Sequence, residues 1–341
     1  MSQTYFRPIC RSGPMPDGAV PLAGGPLWFT EADRLSRDAA SEPVAAADLP
    51  ATVRDQLSAP RGDICGLTAR PGLLIGIVNV TPDSFSDGGL HDAEGAGAAH
   101  GRKLADEGAD ILDIGGESTR PGATPVPRDE EIARVRPVIA DLADALPDMP
   151  LSIDTRHAAV AAAAFDAGAT LFNDVTALRH DPEALALAAD RAGMVCLMHS
   201  AADPQTMQDD PRYGHVLLDV YDHLAERVAV AEAAGIPRSR ILVDPGIGFG
   251  KTLDHNLALL RGLSLFHGLG CAVLLGASRK RFIGTLTGVD AAPARVPGSV
   301  AVAYEALSQG VQVLRVHDIA QTRQAVQIWR ALHEREGQEQ A

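Results

Sequence analysis

The chain has 341 residues, 46% apolar, 22% charged and only 4% aromatic, with 33 Gly and 23 Pro; this is a globular composition and not that of a disordered or fibrous chain. Its formal net charge of −14 argues against a protein that coats nucleic acid, because neutralising phosphates needs a basic face. Any anionic ligand must therefore be met by a local pocket of positive groups.

The first twenty residues lack a basic start followed by an apolar core, and no apolar run approaches the roughly 18 residues needed to span a bilayer. Cys10, Cys65, Cys196 and Cys271 are scattered without a C-x-x-C pair, which disfavours a zinc ribbon or disulfide scaffold and points to the cytoplasm. Residues 1–70 are rich in Ala, Pro and Gly, but Trp28 and Phe29 need an apolar partner. They are expected to form an N-terminal extension of unknown role, partly ordered and packed against residues 71–341 or a second subunit.

From Gly72 onward, short apolar runs alternate with Ala-rich helical stretches. The expected strands are Leu73 to Val78, Ile111 to Ile114, Leu151 to Asp154, Thr170 to Asn173, Met194 to Met198, Ile241 to Asp244, Ala272 to Gly276 and Val313 to Val316. Their nearly continuous hydrophobicity suits parallel strands covered on both faces. Helices are expected between them, from Ala96 to Glu107 through to Ile319 to Glu334, with Gly108 and Gly168 as stops. Eight strand–helix units specify an α/β fold, a (β/α)8 TIM barrel; a doubly wound open sheet is the alternative and would usually need fewer strands.

In a barrel the working face lies at the carboxyl ends of the strands. All eight runs are followed by polar groups: Asn79; Glu117 with Thr119 and Arg120; Asp154; Asn173; His199; Asp244 with Lys251; Ser278 with Arg279 and Lys280; Arg315 with His317. One such residue is commonly a turn or cap, whereas eight that converge indicate a site. Asp154, Asn173 and Asp244 offer acceptors and an amide suited to a flat heterocycle with several N–H donors. Arg315 and His317 alternate along a strand end and so point to one side, where with a nearby arginine they suit a diphosphate. The chain holds only three lysines, Lys103, Lys251 and Lys280, and two of them stand in these loops.

The loop Asp244 to Thr252 fails two nucleotide-binding tests. Pro245 stands where a Walker A loop needs glycine, and Lys251 stands where G-x-G-x-x-G needs its third.

Five motifs carry a resemblance. The strings Gly76 to Gly89, Gly115 to Gly122, Asp244 to Lys251, Ser278-Arg279-Lys280 and Arg315-Val316-His317 resemble those of the dihydropteroate synthases of folate biosynthesis, a pterin-binding barrel family, from about Gly72 to the last helix. The resemblance implies a transferase that condenses 6-hydroxymethyl-7,8-dihydropterin diphosphate with 4-aminobenzoate, giving 7,8-dihydropteroate and diphosphate. It further implies that Asp154, Asn173, Asp244 and Lys280 hold the pterin, and that Asn79, Arg315 and His317 meet the diphosphate and its Mg²⁺, with Asn79 on the metal. Thr119, Pro121, Phe249 and Ser278 would shape the aminobenzoate site, and Arg120, Lys280, Arg315 and His317 would be catalytic. Residues 81–89 and the second loop would serve as lids, and the chain would be a homodimer through its last helices.

Three positions depart from the family's usual strings: Ala277 before Ser278, Thr176-Ala177 after Val175, and Ser200-Ala201-Ala202 after His199. None removes a charged group of the expected site. A pterin-binding methyltransferase module and a catalytically silent pterin-binding paralogue are the competing readings. The complete Thr81 to Ser86 lid and the Ser278-Arg279-Lys280 triplet favour the synthase.

Overall fold

The structure, a computed structural model, describes residues 3–80, 90–118, 125–200 and 211–333. Its N-terminal part contains an antiparallel sheet of β1 (Tyr5–Pro8), β4 (Glu31–Leu35) and β5 (Glu42–Ala45), a short ladder of β2 (Val20–Pro21) with β3 (Trp28–Phe29), and helix α1 (Ala51–Ser58). Leu22, Leu27, Phe29, Leu49 and Leu57 are buried in the same core as the outer faces of the later strands. Polar ties accompany this packing: Tyr5 Oη donates to Asp222 at 2.8 Å, Ser264 Oγ to the Pro8 carbonyl at 2.8 Å, and Arg61 to the His267 carbonyl at 2.9 Å.

The remaining strands are β6 (Leu73–Asn79), β7 (Ile111–Gly115), β8 (Leu151–Asp154), β9 (Leu171–Asp174), β10 (Met194–Met198), β11 (Ile241–Asp244), β12 (Ala272–Leu275) and β13 (Val313–Val316). They pair in parallel with their chain neighbours, and β13 returns to β6, so the sheet closes into a barrel. The open-sheet alternative is thereby rejected. Around it lie α2 (Leu90–Asp106), α3 (Arg128–Ala145), α4 (Ala158–Asp166), α5 (Ala184–Arg191), α6 (Val216–Ala233), α7 (Leu253–Arg261), α8 (Arg281–Thr287), α9 (Val296–Ser308) and α10 (Ile319–His333). Gly108 and Gly168 take φ of +99° and +115° at the helix stops expected of them. Among the described residues no helix is long and apolar enough to cross a membrane.

Strand parity decides what fills the barrel. Leu73, Ile75, Ile111, Leu171, Met194, Leu242, Leu274 and Val313 form a separate buried cluster in the interior, whereas their chain neighbours join the outer core. Ile64 belongs to this interior cluster and is fully buried. It stands on a tight turn that pairs with Leu67, just ahead of β6, and closes the end of the barrel where the strands begin. Two residues further along each strand, the same inward parity delivers the side chains at the other end.

Candidate active site

Asp113 follows Ile111 by two positions and so faces inward; Asn173 follows Leu171, Asp244 follows Leu242, and Arg315 follows Val313 in the same way. Strand register sets Gly115 beside both Asn79 and Asp154, and Asp154 beside Asn173. The expected residues Asn79, Asp154, Asn173, Asp244 and Arg315 are thus gathered at one end of the barrel. Thr119, Arg120 and Pro121, and the lid residues 81–89, lie outside the described residues.

The centre of the mouth is a charge network. Arg315 donates from Nε to Asp113 Oδ2 at 2.6 Å and from Nη2 to Asp154 Oδ2 at 2.7 Å, while Asn173 Nδ2 donates to the same Asp113 oxygen at 2.9 Å. The other oxygen of each acid, Asp113 Oδ1 and Asp154 Oδ1, is buried and has no hydrogen-bond partner. A buried carboxylate oxygen left without a donor is costly, so these two acceptors mark a place for a ligand's N–H groups. Burial pushes the Asp154 carboxyl up to about 7, against the opposing pull of Arg315. In Arg315 burial works against the cation, but Asp113 and Asp154 outweigh it and hold the guanidinium firmly charged.

Asp113 lies inside β7, where the pattern of polar groups that follow each apolar run does not reach it. Its signal was a lone acid in the apolar run Ile111 to Ile114, two residues after an inward-facing apolar side chain. Such an acid is expensive to bury unless it is paired.

Lys280 occupies the far side. Its Nζ donates to the Ile247 carbonyl and stands 4.0 Å from the centroid of the Phe249 ring, a cation–π arrangement. Burial lowers its ammonium to about 7, opposed by the charge of Asp244. Asp244 itself anchors the loop that follows it, with Oδ1 accepting from Gly246 N at 2.7 Å. Ser278 Oγ accepts from His317 N at 3.2 Å and lies 3.1 Å from His317 Nδ1, so those two residues form one unit.

Between Ser278 and Lys280, Arg279 takes φ +58°, in the left-handed region. The bend turns its guanidinium out to Asp318, which it grips with both arms at 3.0 and 2.5 Å. Arg279 is therefore a structural brace within the triplet. Glu117 is bound bidentately by Arg156 at 3.0 and 3.1 Å and accepts from Val126 N at 3.1 Å, fixing residues on both sides of the segment that carries Thr119 to Pro121. His199, whose role the sequence left open, meets Lys251 Nζ at 3.0 Å through its Nδ1.

Comparison with known proteins agrees with this geometry. Residues 75–317 match the family model described as pterin binding enzyme. A dihydropteroate synthase of Neisseria meningitidis serogroup B is 47% identical over 264 residues, covering 76% of this chain and 92% of the relative. The solved dihydropteroate synthase of Xanthomonas albilineans with 4-aminobenzoic acid superposes with a TM-score of 0.75 at 50% identity, covering 80% of this chain and 98% of that one. A second structure of that enzyme, in complex with 7,8-dihydropteroate, gives a TM-score of 0.73 at 48% identity, with the same coverage. The barrel, its inward-facing mouth and these relatives together show that the chain belongs to the pterin binding enzyme family, among the dihydropteroate synthases.

Proposed function

We propose that this mouth condenses 6-hydroxymethyl-7,8-dihydropterin diphosphate with 4-aminobenzoate. The carrying observation is the pair of buried acceptors, Asp113 Oδ1 and Asp154 Oδ1, which have no donor of their own. The amino and ring N–H groups of a pterin are donors of the kind they lack. Asn173 and Asp244 extend the same polar floor, and Lys280 with Phe249 walls the side where the aromatic amine would lie.

In the reaction a C–N bond forms at the pterin's exocyclic methylene and the C–O bond to diphosphate breaks. The diphosphate takes the electron pair, and the amine sheds a proton. Arg315 and the Ser278–His317 pair would meet the negative charge that grows on the leaving group, and their role would be electrostatic. Asp154, charged and close to the pterin, would steady positive charge developing on the methylene.

Mg²⁺ fits the residues present only as a shared ion. Among the described residues no cluster of three or more His, Cys, Asp or Glu could hold a metal. Asn79 supplies one hard oxygen at a strand end, which suits an ion that keeps waters and takes its other ligands from substrate phosphates. Once bound, Mg²⁺ would neutralise diphosphate charge.

Thr119 and Pro121 would border the aminobenzoate, and Arg120 would reach the diphosphate. Residues 1–70 form an extension to a catalytic barrel over 71–341. A homodimer through the last helices is supported by Ile328 and Leu332, 57% and 66% exposed on the outer side of α10. A cytoplasmic location is supported by four free thiols. The test of the whole reading is incubation of the purified chain with both substrates and Mg²⁺, following dihydropteroate by mass. Product should form and should vanish in excess chelator; a folded chain that yields none would overturn the assignment.

A further inference from the structure

The loop from Asp244 to Lys251 is held far more firmly than its glycine-rich sequence requires. It carries Phe249 and the Ile247 carbonyl, the two groups on which Lys280 rests. Side chains from three places grip its backbone. Tyr213, ahead of α6, donates Oη to the Gly250 carbonyl at 2.8 Å. Asn256 of α7, buried, accepts from Gly248 N at 2.7 Å and donates to the Thr252 carbonyl at 2.7 Å.

Lys251 supplies the third grip. It is only 4% exposed, and its Nζ turns back to the Phe249 carbonyl at 2.8 Å and across to His199 Nδ1 at 3.0 Å, tying the loop to the end of β10. With Nδ1 accepting, the His199 proton is assigned to Nε2. Among the described residues no carboxylate is hydrogen-bonded to this lysine, and the partners it has there serve loop geometry. The same junction is sealed at Gly246, where φ is +68° and a Cβ would stand 1.9 Å from the His199 carbonyl oxygen.

We propose that Tyr213, Lys251 and Asn256 are positioning residues for the second substrate: they fix the Phe249 ring and the Ile247 carbonyl in place and so set affinity for the aromatic amine, without touching either substrate. The inference rests on the reading above that Phe249 and Lys280 wall the 4-aminobenzoate site. A loop already ordered in its binding conformation avoids the entropy cost of being ordered by the ligand. The pterin's expected partners Asp154 and Asn173 stand on strand ends outside this clamp, and Lys280 alone links the pterin to the gripped backbone, so its affinity depends on the clamp far less.

The test uses Tyr213→Phe, which removes one hydroxyl, and Lys251→Met, which keeps the side-chain length without the donors. Amide exchange over residues 246–251 is measured in the unliganded full chain, and KM is measured for each substrate separately. Exchange should accelerate about tenfold. KM for 4-aminobenzoate should rise roughly five- to twentyfold while that for the pterin diphosphate stays within about twofold. Unchanged exchange, or a rise of both KM values together, or faster exchange with an unmoved aminobenzoate KM, would overturn the proposal. Should Lys251→Met not fold, Tyr213→Phe decides alone. A wild-type chain that makes no dihydropteroate would sink the functional reading, and the exchange data would still decide whether the clamp exists.

Discussion

At the scale of single residues, the mouth is governed by three buried acids, Asp113, Asp154 and Asp244, facing two cations, Arg315 and Lys280. Burial works against the charges of Asp154, Asp244, Lys280 and Arg315, and among these five groups only the pairing of Arg315 with Asp113 and Asp154 is direct. The consequence is a site poised near neutrality. Below about 7 Asp154 takes up a proton and stops being a pure acceptor; above about 7 Lys280 loses its charge. We therefore expect kcat/KM for the pterin diphosphate to peak near neutral pH. The acid limb would report the loss of the carboxylate and the alkaline limb the loss of the ammonium, with apparent values that belong to the coupled cluster. In Lys280→Met, turnover should drop by about two to three orders of magnitude and the alkaline limb should disappear while the acid limb persists. A profile of unchanged shape in that variant would contradict the role given to Lys280.

At the scale of elements, six of the eight strands carry a polar side chain toward the mouth end of their inward file, Asn79, Asp113, Asp154, Asn173, Asp244 and Arg315, and the loop after β11 turns such an end into a wall. The loop after β11 shows how little freedom such a wall has. Replacing Gly246 by Ala forces a Cβ onto the His199 carbonyl in a backbone conformation that L residues avoid. The loop must shift, and a displacement of about 1 Å at a catalytic wall costs about a hundredfold in turnover, which steady-state kinetics would register. Full activity in Gly246→Ala would show that the loop can move without consequence. The strands were legible because a parallel strand covered on both faces must be an apolar run, and Leu151 to Asp154 and Met194 to Met198 are found where that pattern sets them. Helix α8 was not, because Arg281–Thr287 is only seven residues long, contains Gly284 and follows directly on the site triplet. Asp113 escaped for a related reason: periodicity marks where a strand ends, while the chemistry here begins two residues earlier.

At the scale of the whole molecule, the N-terminal segment and the barrel share one hydrophobic core. Neither β1 nor β4 could be read from composition, since both are short and their alternation is broken by charged residues such as Arg7, Asp33 and Arg34 that pair at the surface. Only the apolar Trp28-Phe29 step announced that the segment must pack against something, and Phe29 is fully buried in the shared core. Ile64 couples the two parts most directly, because it plugs the end of the barrel opposite the mouth. Ile64→Ala should lower unfolding free energy by about 2–5 kcal/mol in denaturant melts, as cavities in cores do; a loss near zero would show the plug to be dispensable. Recognition of the pterin rests on two carboxylate oxygens that have no donor of their own. The measurement that tests it most directly is a crystal structure of this chain with 7,8-dihydropteroate. Pterin N–H groups should lie within hydrogen-bond distance of Asp113 Oδ1 and Asp154 Oδ1, and a pterin bound elsewhere, with both oxygens still without partners, would contradict the assignment.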